Sequence, residues 1–188
     1  MTKPRPDRIE GYAIISEDGM LADATGIMPP ALKIEADQRF FHGSLDKTDA
    51  VVHGRRSHEG GPNAPKRPRL IVTRRIPGIG PHPQNPKAVL WNPAGGSFED
   101  AWKMLGVDGG MLAVIGGTEI FGLFLDIGYG AFHLSRADHV RLPGGRPVFP
   151  QVPSVTPEEV LRERGYKPGP ARLLDAEKNV QLVTWTPT

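Results

Sequence analysis

The hydrophobic pattern of this chain alternates between the period of a strand and the period of a helix. Apolar runs of strand length, each bounded by glycine, proline or polar residues, lie at 11–16, 49–53, 69–75, 88–91, 111–115 and 131–142. Apolar residues three and four positions apart predict amphipathic helices at 33–45, 97–107, 118–126 and 156–165. Ser97, with Asp100 three residues later, is typical of a capped helix N-terminus.

The order of these elements predicts one α/β domain over the whole chain, residues 1–188. Strands that alternate with helices favour a parallel sheet with helices on both faces. Two further strand-like runs surround "DAEKN" near the end of the chain, which is typical of a β-hairpin. We therefore expect a mostly parallel sheet of about eight strands with a C-terminal antiparallel hairpin at one edge.

The segment after the first predicted strand, 17–32, has no periodic pattern. Its sequence, EDGMLADATGIMPPAL, contains two glycines and a Pro-Pro pair, which interrupt regular structure. Long loops inside a compact domain are often functional. This segment is therefore a candidate functional loop.

Composition narrows the classes of function. The 188 residues carry a formal net charge of +2, which is compatible with a small anionic ligand and too weak to predict nucleic-acid binding. Cysteine is absent, which excludes disulfides, thiol catalysis and zinc–thiolate sites. The six histidines lack the spacing of a metal site, so we expect no bound metal. No apolar run is long enough to span a membrane, and the first residues lack the apolar core of a signal peptide. We therefore expect a cytoplasmic protein.

Arginines, hydroxyl residues and glycines follow three of the predicted strands. They are Gly54, Arg55, Arg56 and Ser57 after the first of the three, Thr73, Arg74 and Arg75 after the second, and Gly116, Gly117 and Thr118 after the third. The carboxyl ends of parallel strands meet at one edge of a sheet, where ligands bind. Because arginines and helix N-termini both bind phosphate, the three clusters together favour a dinucleotide with an extra ribose phosphate. Each cluster alone is more typical of a turn or a solvated loop.

The stretch LAVIGGTEIFGLFL, residues 112–125, passes from a strand to a helix through two glycines. A plain turn needs one glycine at most, and the pair lacks the spacing of the Rossmann fingerprint. The paired glycines indicate that a ligand approaches the backbone closely at this point.

Asp37 lies on the predicted apolar face of the helix at 33–45, in line with Ile34, Phe41 and Leu45. A buried carboxylate is costly unless it is paired or used. Burial would raise its pKa and suit it to proton transfer, or to binding the amidine-like edge of a ring. A shift of the helical face by one residue would instead leave Asp37 in solvent.

Several of these segments resemble the dihydrofolate reductases and their relatives, including the reductase domain of riboflavin biosynthesis. EDGMLADATGIMP resembles the mobile active-site loop, and EADQRFF resembles the first helix with its catalytic acid. VVHGRRSHE resembles the element that begins the helix over the cofactor phosphates. RPRLIVTRR resembles the strand that leads to the adenosine 2′-phosphate site, and VIGGTEIF resembles the glycine pair near the pyrophosphate and nicotinamide. FHLSRA and PVFP resemble the last strand and its following landmark.

The resemblance implies an NADPH-dependent reductase that transfers a hydride to a C=N bond of a pterin- or folate-type ring, with Asp37 as the catalytic residue. The residues implied to bind the cofactor are Ala13, Gly54, Arg55, Arg56, Ser57, Thr73, Arg74, Arg75, Gly116, Gly117, Thr118, Glu119 and Ile120. The residues implied to bind the substrate are Met28, Asp37, Phe41, Arg67 and Ser135. The glycine pair would then let the backbone touch the dinucleotide, while Thr118 caps the helix or bonds to a phosphate.

Two positions depart from the family pattern. Pro30 stands where the family has a tryptophan, and the arginine for the substrate carboxylate is best matched by Arg67, in a proline-rich stretch. The EDG turn is also typical of the riboflavin-type reductases. The alternatives are therefore reduction of 5-amino-6-(5-phosphoribosylamino)uracil, with Arg67 or Lys66 on the phosphate, and a catalytically silent nucleotide-binding protein. The expected partner is a small heterocyclic substrate, not nucleic acid or a membrane, and the pattern is compatible with a homodimer.

Overall fold

A large sheet forms the centre of the computed structural model, which describes residues 4–57 and 59–188. The strands are β1 (Arg8–Ser16), β2 (Met20–Ala22), β3 (Ala50–Gly54), β4 (Arg69–Val72), β5 (Ile79–Pro81), β6 (Ala88–Trp91), β7 (Met111–Val114), β8 (Ala131–Ala137), β9 (Arg146–Pro147), β10 (Tyr166–Pro168), β11 (Arg172–Asp175) and β12 (Val180–Pro187). The helices are α1 (Glu35–Leu45), α2 (Phe98–Leu105), α3 (Thr118–Ile127) and α4 (Pro157–Glu163), with 3-10 turns at Pro30–Leu32 and Ala64–Lys66.

The main sheet has the strand order β10-β12-β8-β1-β7-β3-β4-β6-β5, and β11 also pairs with β12. The pairs from β8 to β6 are parallel, whereas β5, β10, β11 and β12 pair antiparallel. The predicted mostly parallel sheet with its C-terminal hairpin is confirmed. Within the described residues the sheet has ten strands rather than about eight. The two additional strands, β5 and β10, have three residues each, and their sequences show no alternating pattern that would predict a strand.

Strand β1 separates two apolar layers, since alternate side chains of a strand point to opposite faces of the sheet. Ile9 and Ile15 join the large core that α2 and α3 cover, and this core also contains the tryptophans Trp91, Trp102 and Trp185. Tyr12 and Ile14 lie on the other face, together with apolar residues of α1 and of the segment before it. The predicted placement of helices on both faces is confirmed.

The helix boundaries follow from local hydrogen bonds. The Ser97 hydroxyl accepts the amide of Asp100 at 3.1 Å, and Gly106 ends α2 with a left-handed φ of 76°. Thr156 and Glu159 form a complete capping box at the start of α4. The four predicted helices are all present, with ends shifted by at most two residues. Among the described residues, no helix has the length and apolar character that crossing a membrane would need.

Three of the sequence expectations change in detail. The segment 17–32 is not an unbroken loop, because β2 pairs with β9 in a small antiparallel sheet of its own. The strand expected at 69–75 ends at Val72, where the Thr73 hydroxyl accepts the amide of Arg75 and starts a turn. The strand expected at 131–142 ends at Ala137, which accepts the turn hydrogen bond of the Val140 amide.

Candidate functional site

A cavity of about 460 Å³ lies between α1, the loop that joins β2 to α1, and the sheet around β1, β7 and β8. Parallel strands β1 and β8 supply neighbouring side chains to its wall, because Tyr12 is opposite His133 and Ile14 is opposite Ser135. Nine residues with a role implied by sequence line this cavity: Ala13, Met28, Asp37, Phe41, Arg56, Ser57, Gly116, Gly117 and Ser135. The fold therefore brings together residues that are far apart in the chain.

Asp37 is a buried carboxylate in the cavity wall, exposed by 8%. Its predicted position on the inner face of α1 is confirmed. Burial raises the pKa of Asp37, and a hydrogen bond with the Ser135 side chain offsets part of that rise. The site thus contains an acid that keeps its proton to a higher pH than an exposed aspartate does.

The glycine pair lies at the end of β7, and its cis peptide lines the cavity. Gly116 has a φ of 112°, a conformation that side chains disfavour, and a Cβ there would lie 3.1 Å from the Phe121 ring. A Cβ on Gly117 would lie 3.3 Å from the Ser57 hydroxyl oxygen. Since glycine has no side chain, the backbone of Gly117 itself forms the cavity wall beside Ser57, where a ligand can contact it directly.

Thr118 does not cap helix α3. The N-cap position is Gly117, and the Thr118 hydroxyl instead donates to the carbonyl oxygen of Pro147. The prediction that Thr118 caps the helix is wrong, because this residue lies inside the first turn of α3. Its hydrogen bond connects the start of α3 to β9, and through β9 to β2 in the loop beside the cavity.

A second cavity, of about 270 Å³, lies on the other side of the loop that follows Gly54. Arg55, Thr73 and Arg75 line it, with apolar contacts from Ile71 and Leu90. Two guanidinium groups beside a hydroxyl form a suitable site for a phosphate. Arg74 is exposed and does not line this cavity.

The segment after Gly54 forms turns rather than a helix in its described residues, 55–57 and 59–63. Gly60, Gly61 and Pro62 disfavour a helix there, and a 3-10 turn follows at Ala64–Lys66. The helix over the cofactor phosphates that the resemblance implies for this segment is therefore absent from its described residues. Arg56 and Ser57 reach the main cavity from a loop.

Six residues implied by the resemblance line neither cavity: Gly54, Arg67, Arg74, Thr118, Glu119 and Ile120. Ile120 instead packs near Gly54, whose added Cβ would lie 3.6 Å from the Ile120 side chain. Arg67 is buried, and its guanidinium donates to Asp46 at 2.6 Å and to Glu59 at 3.5 Å. Arg67 thus lies apart from the other residues implied to bind the substrate, which all line the main cavity.

An aromatic wall that the sequence analysis missed lines the cavity beside Asp37. It consists of Tyr12, Phe40 and His133, together with the expected Phe41. Phe121 lines the cavity from the other core, where its ring contacts Phe132. The Tyr12 and His133 rings stack with centroids 4.7 Å apart. Alternating apolar and polar positions in the first strand could have indicated Tyr12, but the place of His133 depends on the register between β1 and β8.

The polar groups of this wall bind to Glu10. Tyr12 donates its hydroxyl to Glu10 at 2.8 Å, and Nε2 of His133 lies 3.2 Å from the same carboxylate oxygen. The hydrogen bond with His133 is the largest cause that lowers the pKa of Glu10 to about 2. Burial, followed by the bond to Glu10, raises the pKa of the Tyr12 phenol. The wall therefore presents aromatic surface to the cavity while its polar atoms are satisfied by protein groups.

No protein-family model matches this chain, and neither does any curated protein sequence. Solved structures do resemble it. A Shewanella sp. PV-4 protein ascribed to riboflavin biosynthesis has a TM-score of 0.67 and 16% identity, over 96% of this chain and 99% of its own. An Enterococcus faecalis dihydrofolate reductase, in complex with NADP(H) and RAB-propyl, has a TM-score of 0.61 and 17% identity, over 96% of both chains.

The chain has the dihydrofolate reductase-like fold. A third protein of this fold is the Thermotoga maritima diaminohydroxyphosphoribosylaminopyrimidine deaminase/5-amino-6-(5-phosphoribosylamino)uracil reductase, with a TM-score of 0.61 and 18% identity. The likeness covers 98% of the present chain and 57% of the length of that protein. The fold class expected from the sequence is confirmed, and the similarity extends over nearly the whole chain.

Proposed function

We propose that this protein is an NADPH-dependent reductase that transfers a hydride to a C=N bond of a pterin- or folate-type ring. One observation carries the proposal: a buried carboxylate, Asp37, and a bare glycine pair, Gly116 and Gly117, line the same cavity. A carboxylate in an aromatic wall suits a ring edge that donates hydrogen bonds, and a glycine pair suits a cofactor in close contact with the backbone.

The bare backbone of Gly117 in the cavity wall supports the cofactor assignment. Ser57, Arg56 and the first amides of α3 would hold the phosphates, since a helix N-terminus and a guanidinium both favour anions. Arg55, Thr73 and Arg75 would hold the extra ribose phosphate that distinguishes NADPH from NADH. These residues fit the cofactor, which supplies a hydride when bound.

Asp37 is assigned to binding and protonating the ring. Its carboxylate accepts hydrogen bonds from an amino group and an adjacent ring N–H, which fixes the orientation of the ring. Because burial raises its pKa, Asp37 takes up a proton more readily than an exposed aspartate, and in that protonated form it can give the proton to the ring nitrogen, directly or through water. The C=N bond thus gains a hydride at carbon and a proton at nitrogen.

The remaining walls exclude water from the ring. Tyr12, Phe40, Phe41 and Phe121 give the cavity apolar surface, and a low dielectric strengthens the interaction between Asp37 and the ring. Met28, which is 37% exposed, lines the cavity from the loop between β2 and α1. We assign to this loop the closing of the site after the substrate has entered.

A second candidate is reduction of 5-amino-6-(5-phosphoribosylamino)uracil. The likeness to the Thermotoga maritima protein, whose name includes this reductase, favours it at a TM-score of 0.61. The exposed Lys33 in the cavity lining also favours it, because its ammonium group could meet a phosphate. Arg67, the contact expected from sequence, is already paired with Asp46 and Glu59. In this reaction the glycine pair and Asp37 would keep the same roles.

Calorimetric titration with NADPH, followed by assays of NADPH consumption with dihydrofolate and with the phosphoribosylamino-uracil, tests these proposals. Asp37→Asn is expected to lower the rate of hydride transfer at neutral pH by at least about tenfold, the lower range for a positioned acid. Cofactor affinity should stay within about threefold, since Asp37 lies apart from the phosphate-binding residues.

Glu35→Gln is the matched control, because Glu35 lies on the same helix with a side chain that is 84% exposed and should leave the rate unchanged. Binding of NADPH without oxidation by either substrate would favour the catalytically silent alternative. An unchanged rate and pH profile in Asp37→Asn would remove Asp37 from the mechanism.

A further inference from the structure

Two arginines lie beside one end of the main cavity without lining it. This end is formed by the second half of α1 and by the segment that begins at Glu59, and Phe41, His42, Glu59 and Gly60 line it. Arg67 and Arg69 both bind Glu59, yet neither arginine lines the cavity. The charge that a ligand meets at this end therefore depends on how these arginines are paired.

Arg67 is held by two carboxylates. Nη2 donates to Asp46 Oδ1 at 2.6 Å, and Nη1 lies 3.5 Å from Glu59 Oε1, while the side chain is only 8% exposed. Arg69 binds both oxygens of Glu59, at 2.6 Å and 2.9 Å. Two guanidinium groups and two carboxylates balance in this cluster, so an incoming anion gains no uncompensated positive charge from it.

Glu59 stays ionised within the cluster. Burial raises its pKa, but hydrogen bonds with Arg69 and other favourable contacts outweigh burial, and the net shift is downward. The Glu59 side chain is 0% exposed, so water screens its charge poorly. Because Arg67 and Arg69 match this charge, an anion that approaches this end of the cavity gains no net attraction from the cluster.

Asp46 controls whether Arg67 is available to a ligand. It follows the last residue of α1, its side chain is 48% exposed, and it also accepts the Asn63 side-chain amide at 3.0 Å. A carboxylate or phosphate on a ligand could bind Arg67 only by replacing Asp46. Such an exchange substitutes one charge-assisted hydrogen bond for another, with little net gain.

The lysine and arginine that do line the cavity lie elsewhere. Arg56 belongs to the loop that faces the glycine pair, where the cofactor phosphates are assigned. Lys33 precedes α1, at the opposite end of the helix from Asp46. Neither residue lies in the segment that forms the Glu59 end of the cavity.

We propose that Asp46 is a specificity-determining residue: by holding Arg67, it leaves the site without the preference for an anionic substituent toward Glu59 that a free arginine there would give. The inference rests on the proposed function, since it takes the ring edge to be bound at Asp37. A substituent that ends in carboxylates or in a phosphate gains no net attraction at this end.

Calorimetric titration with methotrexate and with its dimethyl ester tests the inference, because the two compounds share one diaminopteridine ring and differ in the charge of the tail. Wild-type protein is expected to bind both with affinities within about threefold of each other. Asp46→Asn releases Arg67 and should bind the acid at least about fivefold more tightly than the ester. About 0.5 M salt should remove this preference. Glu35→Gln, which changes an exposed carboxylate on the same helix, should behave as wild type.

Each outcome decides a different point. A wild-type preference for the acid of about tenfold or more overturns the inference and leaves the proposed function standing. Equal binding of the two compounds by a folded Asp46→Asn protein overturns the role of Asp46, and Asp46→Ser repeats that comparison if the asparagine variant does not fold. Binding of neither compound to wild type overturns the proposed pteridine site and the inference with it.

Discussion

The backbone amide of Gly54 donates a hydrogen bond to the carbonyl oxygen of Gly116, at 2.8 Å. This bond joins the carboxyl ends of β3 and β7 where the chain leaves both strands, one toward Arg55 and the other toward Gly117. The arginine loop and the glycine pair are thus connected through the backbone. Substitutions at the two glycines of the pair should consequently have different effects.

Gly117→Ala should weaken cofactor binding far more than it weakens folding. Gly117 has a φ of −85° and a ψ of −145°, so it lies outside the left-handed region that strains Gly116. Its Cβ would lie 3.3 Å from the Ser57 hydroxyl oxygen, at the wall assigned to the cofactor. We expect NADPH affinity to fall at least about tenfold, and the free energy of unfolding to fall by less than about 1 kcal/mol. Thermal unfolding with and without NADPH checks this. A wild-type ligand-induced shift in the variant would show that the pair is only a turn.

Gly116→Ala is the companion variant and should mainly weaken folding. Its φ of 112° disfavours a side chain, and the new Cβ would lie 3.1 Å from the Phe121 ring. The expected loss is about 1–3 kcal/mol in the free energy of unfolding, measured by urea denaturation. A variant as stable as wild type would contradict this conformation of Gly116.

Asp37→Asn should raise stability at neutral pH even as it lowers activity. Because burial raises the folded-state pKa of Asp37, the native protein binds this proton more tightly than the unfolded chain does. Stability therefore falls as pH rises from the unfolded pKa through the folded one, and the penalty persists at neutral pH. Removing the charge should raise the melting temperature at pH 7, with no difference below the unfolded pKa. A lower melting temperature of the variant at pH 7 would show that Asp37 is stabilised by contacts beyond Ser135.

Glu10→Gln should destabilise the protein at neutral pH and not in strong acid. The folded-state pKa of Glu10 is about 2 against an ordinary value of 4.5, so its contribution is present above pH 4.5 and is lost as pH falls toward 2. After allowance for screening by water, we expect a loss of about 1–2 kcal/mol at pH 7. Urea denaturation at several pH values measures it, with Glu35→Gln as the exposed control. A pH-independent loss would point to packing rather than charge.

Arg75→Ala should lower affinity for NADPH and leave affinity for NADH within about threefold. Arg75 lines the second cavity with Arg55 and Thr73, to which we assign the extra ribose phosphate of NADPH. Loss of one charged hydrogen-bonded contact corresponds to about 1.5–3 kcal/mol in binding. Arg74→Ala is the matched control, because Arg74 lies outside this cavity and should have a smaller effect. Equal losses of NADPH affinity in the two variants, in calorimetric titrations, would contradict the assignment of the second cavity.

The sequence predicts this fold well because its signals are local. The apolar period at 35–45 and the capping serine at Ser97 are contained in single segments, and each describes an element that the structure contains. Asp37 was also predictable, since one helical face determines whether it is buried. The parallel order follows from the alternation of strands and helices.

Features that depend on distant partners were not predictable from such patterns. The burial of Arg67 depends on Asp46 and Glu59, and the Thr118 hydroxyl bonds to Pro147, 29 residues later. The network of Glu10 with His133 spans 123 residues and requires the register between β1 and β8. The segment after Gly54 is a different case, because the resemblance implies that a helix begins there, whereas Gly60, Gly61 and Pro62 oppose a helix locally.

The burial of the tryptophans determines the intrinsic fluorescence of this protein. Trp91, Trp102 and Trp185 are each at most 2% exposed, and none of them lines either cavity. Indole rings shielded from water emit at shorter wavelengths than exposed ones, in the region where reduced nicotinamides absorb. If the proposed dinucleotide binds, resonance energy transfer from the tryptophans to its nicotinamide should lower the tryptophan fluorescence of the native protein. The unlabelled protein can then serve as the energy donor in a binding titration.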